Sequence, residues 1–237
     1  MSETTTPGSP GTRGADPAAF GIVMVCEGNI CRSPLAEQLM RSRLGEAGLY
    51  AAVTVSSGGL GALVGSAMDA TAAEQSRRYR GRPDDFRARQ LRSAIVNPAD
   101  LVLTMTRAQR DDVVQRYPRI LQRTFTLVEF AKLLALDAVD LPESNSDFAS
   151  VAAQLAASGL PERAPEIAGM LRDRTRSYAR LRSRARLQAD DDIADPYRRD
   201  PQVHEAVAQK ISLATAQIVH NFAGWAVDSE GSDRLRA

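Results

Sequence analysis

The chain has 237 residues, with 30 Lys and Arg against 29 Asp and Glu, so its formal net charge is +1. That near-balance makes no global case for nucleic acid or an anionic membrane surface, and no apolar run is long enough to span a bilayer. Two cysteines, Cys26 and Cys31, exclude a disulfide scaffold, and with two histidines, His204 and His220, they offer no zinc cluster, so no metal or cofactor is expected.

Residues 1–19, rich in Ser, Thr, Pro and Gly, predict a disordered tail that lacks the basic start and apolar centre of a signal peptide, which points to the cytoplasm. Residues 20–25 predict a buried strand that runs into Cys26-Glu27-Gly28-Asn29-Ile30-Cys31-Arg32-Ser33-Pro34. Ser33 reads as N-cap and Pro34 as first residue of a helix to about residue 45, with Leu35, Leu39, Met40 and Leu44 as its apolar stripe. A strand over 52–56, a helix over about 66–80 and a strand over 101–105 follow. Thr106 and Gln109 form a capping-box pattern opening a helix over about 107–117, and 124–127 reads as a fourth short strand. This alternation predicts an α/β fold, a four-stranded parallel sheet with helices on both faces, whose ligand lies at the carboxyl ends of the strands beside Cys26.

Further along, residues 165–188 predict a long basic helix carrying Arg172, Arg174, Arg176, Arg180, Arg182, Arg184 and Arg186. It reads either as a solvated helix packed through Ile167, Leu171, Tyr178 and Leu181 or as a docking face for an acidic partner. Asp190, Asp191 and Asp192 read as a solvated acidic run. Val203, Val207, Ile211, Ala214, Ile218 and Phe222 recur at helical spacing and predict a last helix over 203–222, with 227–237 as a C-terminal tail. His204 and His220 read as incidental.

The chemistry concentrates in the loop after the first strand. Amides of a short loop and the open N-terminus of a helix converge on one point and favour an anion there. Arg32 adds a fork of donors matched to two oxyanion oxygens, while Gly28 and Asn29 tolerate the left-handed backbone that lets the loop curl. The same field stabilises a thiolate at Cys26, which then stands as a nucleophile toward the phosphorus of a bound phosphate. Cys26 alone would read as an inert buried hydrophobe; the spacing Cys-x5-Arg-Ser between a strand and a Ser-Pro helix start carries the functional reading.

Residues 26–34 resemble the signature of the low-molecular-weight protein tyrosine phosphatases, which share their fold with one class of arsenate reductases. Every fixed position of Cys-x-Gly-Asn-x-Cys-Arg-Ser-Pro is matched, and weaker echoes follow at Val55-Ser56-Ser57-Gly58, Arg87-Ala88-Arg89-Gln90-Leu91, residues 100–105 and Asp195-Pro196-Tyr197. The resemblance covers about 20–137 and resumes over 193–222, so it implies one phosphatase domain over 20–226 with a helical insertion at 137–192, before the acid loop. It implies that Cys26 forms a thiophosphate, with Arg32 and Glu27, Gly28, Ile30 and Cys31 around the phosphate. Asn29 would brace the loop, Ser33 bond the thiolate and Ser56 support Asn29. Asp195, directed by Pro196, would protonate the leaving oxygen and then activate water, with Tyr197 as a cleft wall. Asp200-Pro201 competes with it but reads as a helix start. Cys31 implies either a reversible disulfide with the nucleophile or simple packing.

The chain departs from the family in three places. Residues 60–64 lack the aromatic wall, and Phe86 and Thr106 stand where the family often has His and Asp. A related branch acting on phosphoarginine typically has Thr at the position of Ile30, so Ile30 favours phosphotyrosine in proteins. An arsenate reductase would need an external small thiol, since no cysteine lies outside the motif. A non-catalytic phosphate-binding module would not need Cys26, Arg32 and Asp195 together.

Overall fold

The computed structural model describes residues 19–136 and 160–234. Residues 1–18 of the expected N-terminal tail (1–19), the first part of the expected insertion (137–159) and residues 235–237 lie outside the described residues, while Ala19, expected in the tail, is buried. Alternating apolar side chains build the sheet. In β1 (Phe20–Cys26), Phe20, Ile22 and Met24 face one side and Val23 and Val25 the other, and all are buried. β1 pairs in parallel with β2 (Val53–Gly59) on one side and with β3 (Leu101–Thr104) on the other, and β3 pairs with β4 (Thr124–Thr126). The order is β2-β1-β3-β4. Chain direction therefore switches sides between β1 and β3, and the crevice at the carboxyl end of β1 is the natural ligand position of such a sheet.

Helix α1 (Arg32–Glu46) follows β1, and its first turn differs from expectation. The helix opens at Arg32 with Cys31 as N-cap, so Ser33 and Pro34 sit inside the first turn rather than at its edge. Pro34 is tolerated there because an N–H in the first turn has no intrahelical acceptor anyway. α2 (Ala70–Arg78) is shorter than expected, capped by the Asp69 carboxylate accepting from the Ala72 amide at 3.1 Å. α3 (Ser93–Val96) and α4 (Arg107–Arg116) flank β3, with the Thr106 hydroxyl accepting from the Gln109 amide at 3.2 Å.

α5 (Leu127–Leu136) was not foreseen, yet it opens on a reciprocal capping box. The Glu129 amide donates to the Thr126 hydroxyl and the Thr126 amide to the Glu129 carboxylate, both at 3.0 Å. The expected long basic helix is α6 (Leu160–Tyr178) followed by a 3-10 segment (Ala179–Ala185). Ile167, Leu171 and Tyr178 are buried in the main core, where aromatic rings run from Phe125 through Phe130, Tyr178, Trp225 and Phe222 to Phe20. The arginines divide. Arg172 bonds the Asp100 carboxylate at 3.0 Å, Arg174 lies over the Trp225 ring, and Arg182 lies over Phe125 while donating to the Thr124 carbonyl. Arg176, Arg180, Arg184 and Arg186 are exposed. The last helix, α7 (Pro201–Arg234), starts near the expected residue but runs beyond 222, so residues 227–234, expected as tail, are helical. Among the described residues no helix is long and apolar enough to cross a membrane.

Candidate active site

Residues 27–31 form the turn between β1 and α1, and their carbonyls are pulled outward. Leu60, Gly61 and Leu63 donate their amides to the carbonyls of Cys26, Glu27 and Gly28 at 3.0–3.1 Å, and Asp69 donates to Ile30 at 2.9 Å. With carbonyls engaged outside, none of the amides of residues 27–31 finds a protein acceptor among the described residues, which leaves them for an anion inside the loop. The close approach of the neighbouring loop requires Gly59, where a Cβ would collide with the carbonyl oxygen of Glu27.

Asn29 sits at φ 53°, in the left-handed region that asparagine tolerates. Its side-chain amide donates to the hydroxyls of Ser33 and Ser57, each at 2.9 Å, and its carbonyl accepts from the Arg89 amide at 2.8 Å. Ser57, not the expected Ser56, is therefore the support from β2. The reason is the pleat: Ser57 shares its face with the buried Val53 and Val55, and Ser56 points to the other side. The Ser33 hydroxyl lies 2.9 Å from the Cys26 Sγ. Because it already accepts from Asn29, its own hydrogen is free to point at the sulfur.

Arg32 is 5% exposed. One terminal nitrogen donates to the Asp195 carboxylate at 2.6 Å and the other to the Ile193 carbonyl at 3.2 Å, while its Nε is buried with no partner among the described residues. A buried, unsatisfied guanidinium N–H beside a ring of unpaired amides is an anion site by its donor count. Cys26, Glu27, Gly28, Ile30, Cys31, Arg32, Gly61, Leu63, Asp195 and Tyr197 line a cavity of about 210 Å³ there. Cys31 is buried, and desolvation, reinforced by Asp69, Cys26 and Asp195 against a weaker opposing effect of Arg32, pushes its thiol far up, so it stays protonated.

Asp195 arrives from the far end of the chain on anchored backbone. The Ile193 amide donates to the Met105 carbonyl at 2.9 Å, just beyond β3. Asp191 pairs with Lys132 at 2.6 Å, and Asp192 accepts from the Arg107 amide at 2.9 Å. These acids were expected in solvent; they instead tie the approach of the acid-bearing loop to α4 and α5. The Tyr197 amide donates back to Asp195 at 3.3 Å. Asp200 lies outside the cavity, and its carbonyl accepts the first bonds of α7 from Val203 and His204.

The sequence profile described as low molecular weight phosphotyrosine protein phosphatase matches residues 21–159. The chain belongs to this family. It is 40% identical over 108 residues, 46% of this chain and 70% of the relative, to the "Probable low molecular weight protein-tyrosine-phosphatase EpsP" of Ralstonia solanacearum. It is 33% identical over 111 residues, 47% of this chain and 71% of the other, to a protein-arginine-phosphatase of Geobacillus stearothermophilus. In fold it is similar to the crystal structure of the Erwinia amylovora tyrosine phosphatase AmsI, with a TM-score of 0.56 at 22% identity over 85% of this chain and 92% of that one. Within this family member, sequence reasoning missed Ser57, the Arg89 amide and the Ile193 carbonyl. The first was legible from strand alternation; the other two are backbone groups that no side-chain pattern marks.

Proposed function

We propose that this chain hydrolyses phosphotyrosine in proteins through a thiophosphate on Cys26. The observation that carries this reading is that Cys26, Arg32 and Asp195 line one small cavity, with Arg32 bridging to an acid 163 positions away in sequence. The phosphate takes up the unpaired amides of the loop and the free Nε of Arg32, and by drawing the guanidinium to itself it releases Asp195 from its pair with Arg32, so that the carboxyl can carry a proton. The Cys26 thiolate, steadied by the Ser33 hydroxyl, attacks phosphorus, and the P–O bond to the phenol breaks as Asp195 gives that oxygen its proton. Water then attacks the thiophosphate, Asp195 takes its proton, and the S–P bond breaks to release phosphate and restore the thiolate.

Tyr197 and Ile30 supply an aromatic and an aliphatic contact for a phenyl ring, and the aliphatic Ile30 offers no polar contact to a guanidinium. The reading places these parts on one domain, residues 20–226, with 137–192 as an insertion in a cytoplasmic enzyme. Arg180, Arg184 and Arg186, which carry no ion pair among the described residues, support an acidic partner at that face.

Purified protein assayed on phosphotyrosine peptide, phosphoarginine and arsenate should turn over the first by far the fastest. Asp195→Asn should slow the reaction by about 10²–10⁴ for poor leaving groups and far less for p-nitrophenyl phosphate. Equal slowing of both would remove Asp195 as the proton donor, and preferred turnover of phosphoarginine or arsenate would overturn the substrate.

A further inference from the structure

We propose that Arg198 is a specificity-determining residue, whose guanidinium at the lip of the cavity binds an acidic side chain flanking the substrate's phosphotyrosine. The inference rests on the phosphotyrosine reading above and goes beyond it in naming the sequence around the phosphorylated residue.

Residues 196–199 make a turn closed by the Arg199 amide donating to the Pro196 carbonyl at 2.9 Å. Its third residue is Arg198, at φ 58°. Glycine or asparagine is the ordinary occupant of such a position, because a longer L side chain crowds its own backbone there. A strained arginine on the loop that carries Asp195 points to a use for its side chain.

That side chain is held, not loose. Its guanidinium carbon lies 5.0 Å from the centroid of the Tyr197 ring, and Tyr197 itself lines the cavity. Stacking on the ring costs the guanidinium freedom before any substrate arrives, so less is lost when it takes a carboxylate. Nor is its charge neutralised: Arg198 has no ion pair among the described residues.

A second charge at the cavity, near Gly61, has the opposite sign. Glu27 is exposed, lines the cavity and carries no ion pair among the described residues; its carboxylate lies close over Gly61. A peptide crossing the mouth in an extended conformation therefore meets a cation on the Tyr197 side and an anion on the Glu27 side. An acidic residue is favoured on the first flank and disfavoured on the second.

The test uses phosphotyrosine peptides that differ at one flank at a time, with Glu, Ala or Lys placed N-terminal or C-terminal to the phosphotyrosine. For wild type, Glu at one of the two flanks should raise kcat/KM about fivefold over Ala, as expected of an exposed ion pair. The preference should shrink as salt is raised. Arg198→Glu should turn the preference at that flank toward Lys, shifting the Glu-to-Lys ratio about tenfold or more. Arg198→Gly should abolish the preference without lowering Tm, since glycine suits the turn.

Indifference of the wild type to both flanks, or a preference that survives in Arg198→Glu and Arg198→Gly, would overturn the proposal while leaving the phosphotyrosine reading intact. Turnover of phosphoarginine with none of any phosphotyrosine peptide would overturn both.

Discussion

Asn29 is the residue on which the loop's shape depends. Its left-handed backbone curls the loop, and its three side-chain bonds to Ser33, Ser57 and the Arg89 amide hold that curl from α1, β2 and the segment at Arg89. The bond to Ser33 also settles where the serine's own proton can go, which links the loop's geometry to the Cys26 sulfur. Ser57→Ala leaves one Asn29 N–H buried without a partner, at a cost of about 1–3 kcal/mol. We expect a Tm lower by several degrees and a reduced kcat, whereas Ser56→Ala should stay within about 0.5 kcal/mol of wild type with kcat unchanged. Thermal melts and steady-state kinetics on the two variants check this, and a larger loss in Ser56→Ala would contradict the register of β2.

Elements bring the general-acid candidate to the cysteine. The segment before Asp195 is held by Ile193, buried in the main core, and by ion pairs and backbone bonds to α4, α5 and the end of β3. Burial raises the pKa of Asp191, but the Lys132 ammonium and the Gln188 amide, bonded to its carboxylate at 2.6 Å each, outweigh burial and hold it below its ordinary value of 3.8. A carboxylate whose folded pKa is depressed contributes stability above its unfolded pKa and loses it as pH falls through the folded one. Asp191→Asn should therefore destabilise by about 1 kcal/mol at pH 7, and the difference from wild type should close as pH drops below 3.8. Denaturant unfolding at pH 7 and at pH 3 measures it; a constant difference would mean that the carboxylate's charge is not what anchors the turn.

The whole molecule couples the anion site to its own stability. Donors from the β1–α1 loop and Arg32 converge with Asp195 only in the folded chain, so an anion that fills the cavity binds the native state alone. Inorganic phosphate at a hundredfold excess over its Kd should stabilise the protein by about 2.7 kcal/mol. Cys26→Ser should keep that gain while losing turnover, because the amides and Arg32 remain. Arg32→Ala should lose most of it. A calorimetric series over phosphate concentration separates the two, and loss of the gain in Cys26→Ser would place the anion on the sulfur rather than in the loop.

What the sequence determined by itself is local. Alternating apolar residues set β1 and the parallel sheet, and the run from Cys26 to Pro34 could be assigned a phosphate-cradling shape because its residue types act on their own backbone. The capping box at Thr126 and Glu129 was equally local and could have revealed α5. Tertiary structure decided what no local pattern encodes. The parallel pairing of β2 with β1 brought Ser57 to Asn29, 28 positions away in sequence. Packing chose which arginines turn inward: Arg182 found Phe125 and the Thr124 carbonyl, while Arg184, two positions on, remained exposed. Of the two Asp-Pro pairs near the last helix, chemically alike as sequence, Asp195 alone lines the cysteine's cavity, because the Ile193 amide is fixed to the Met105 carbonyl and a helix start holds Asp200 away. Such choices depend on distances between residues far apart in the chain, which exist only once the chain has folded.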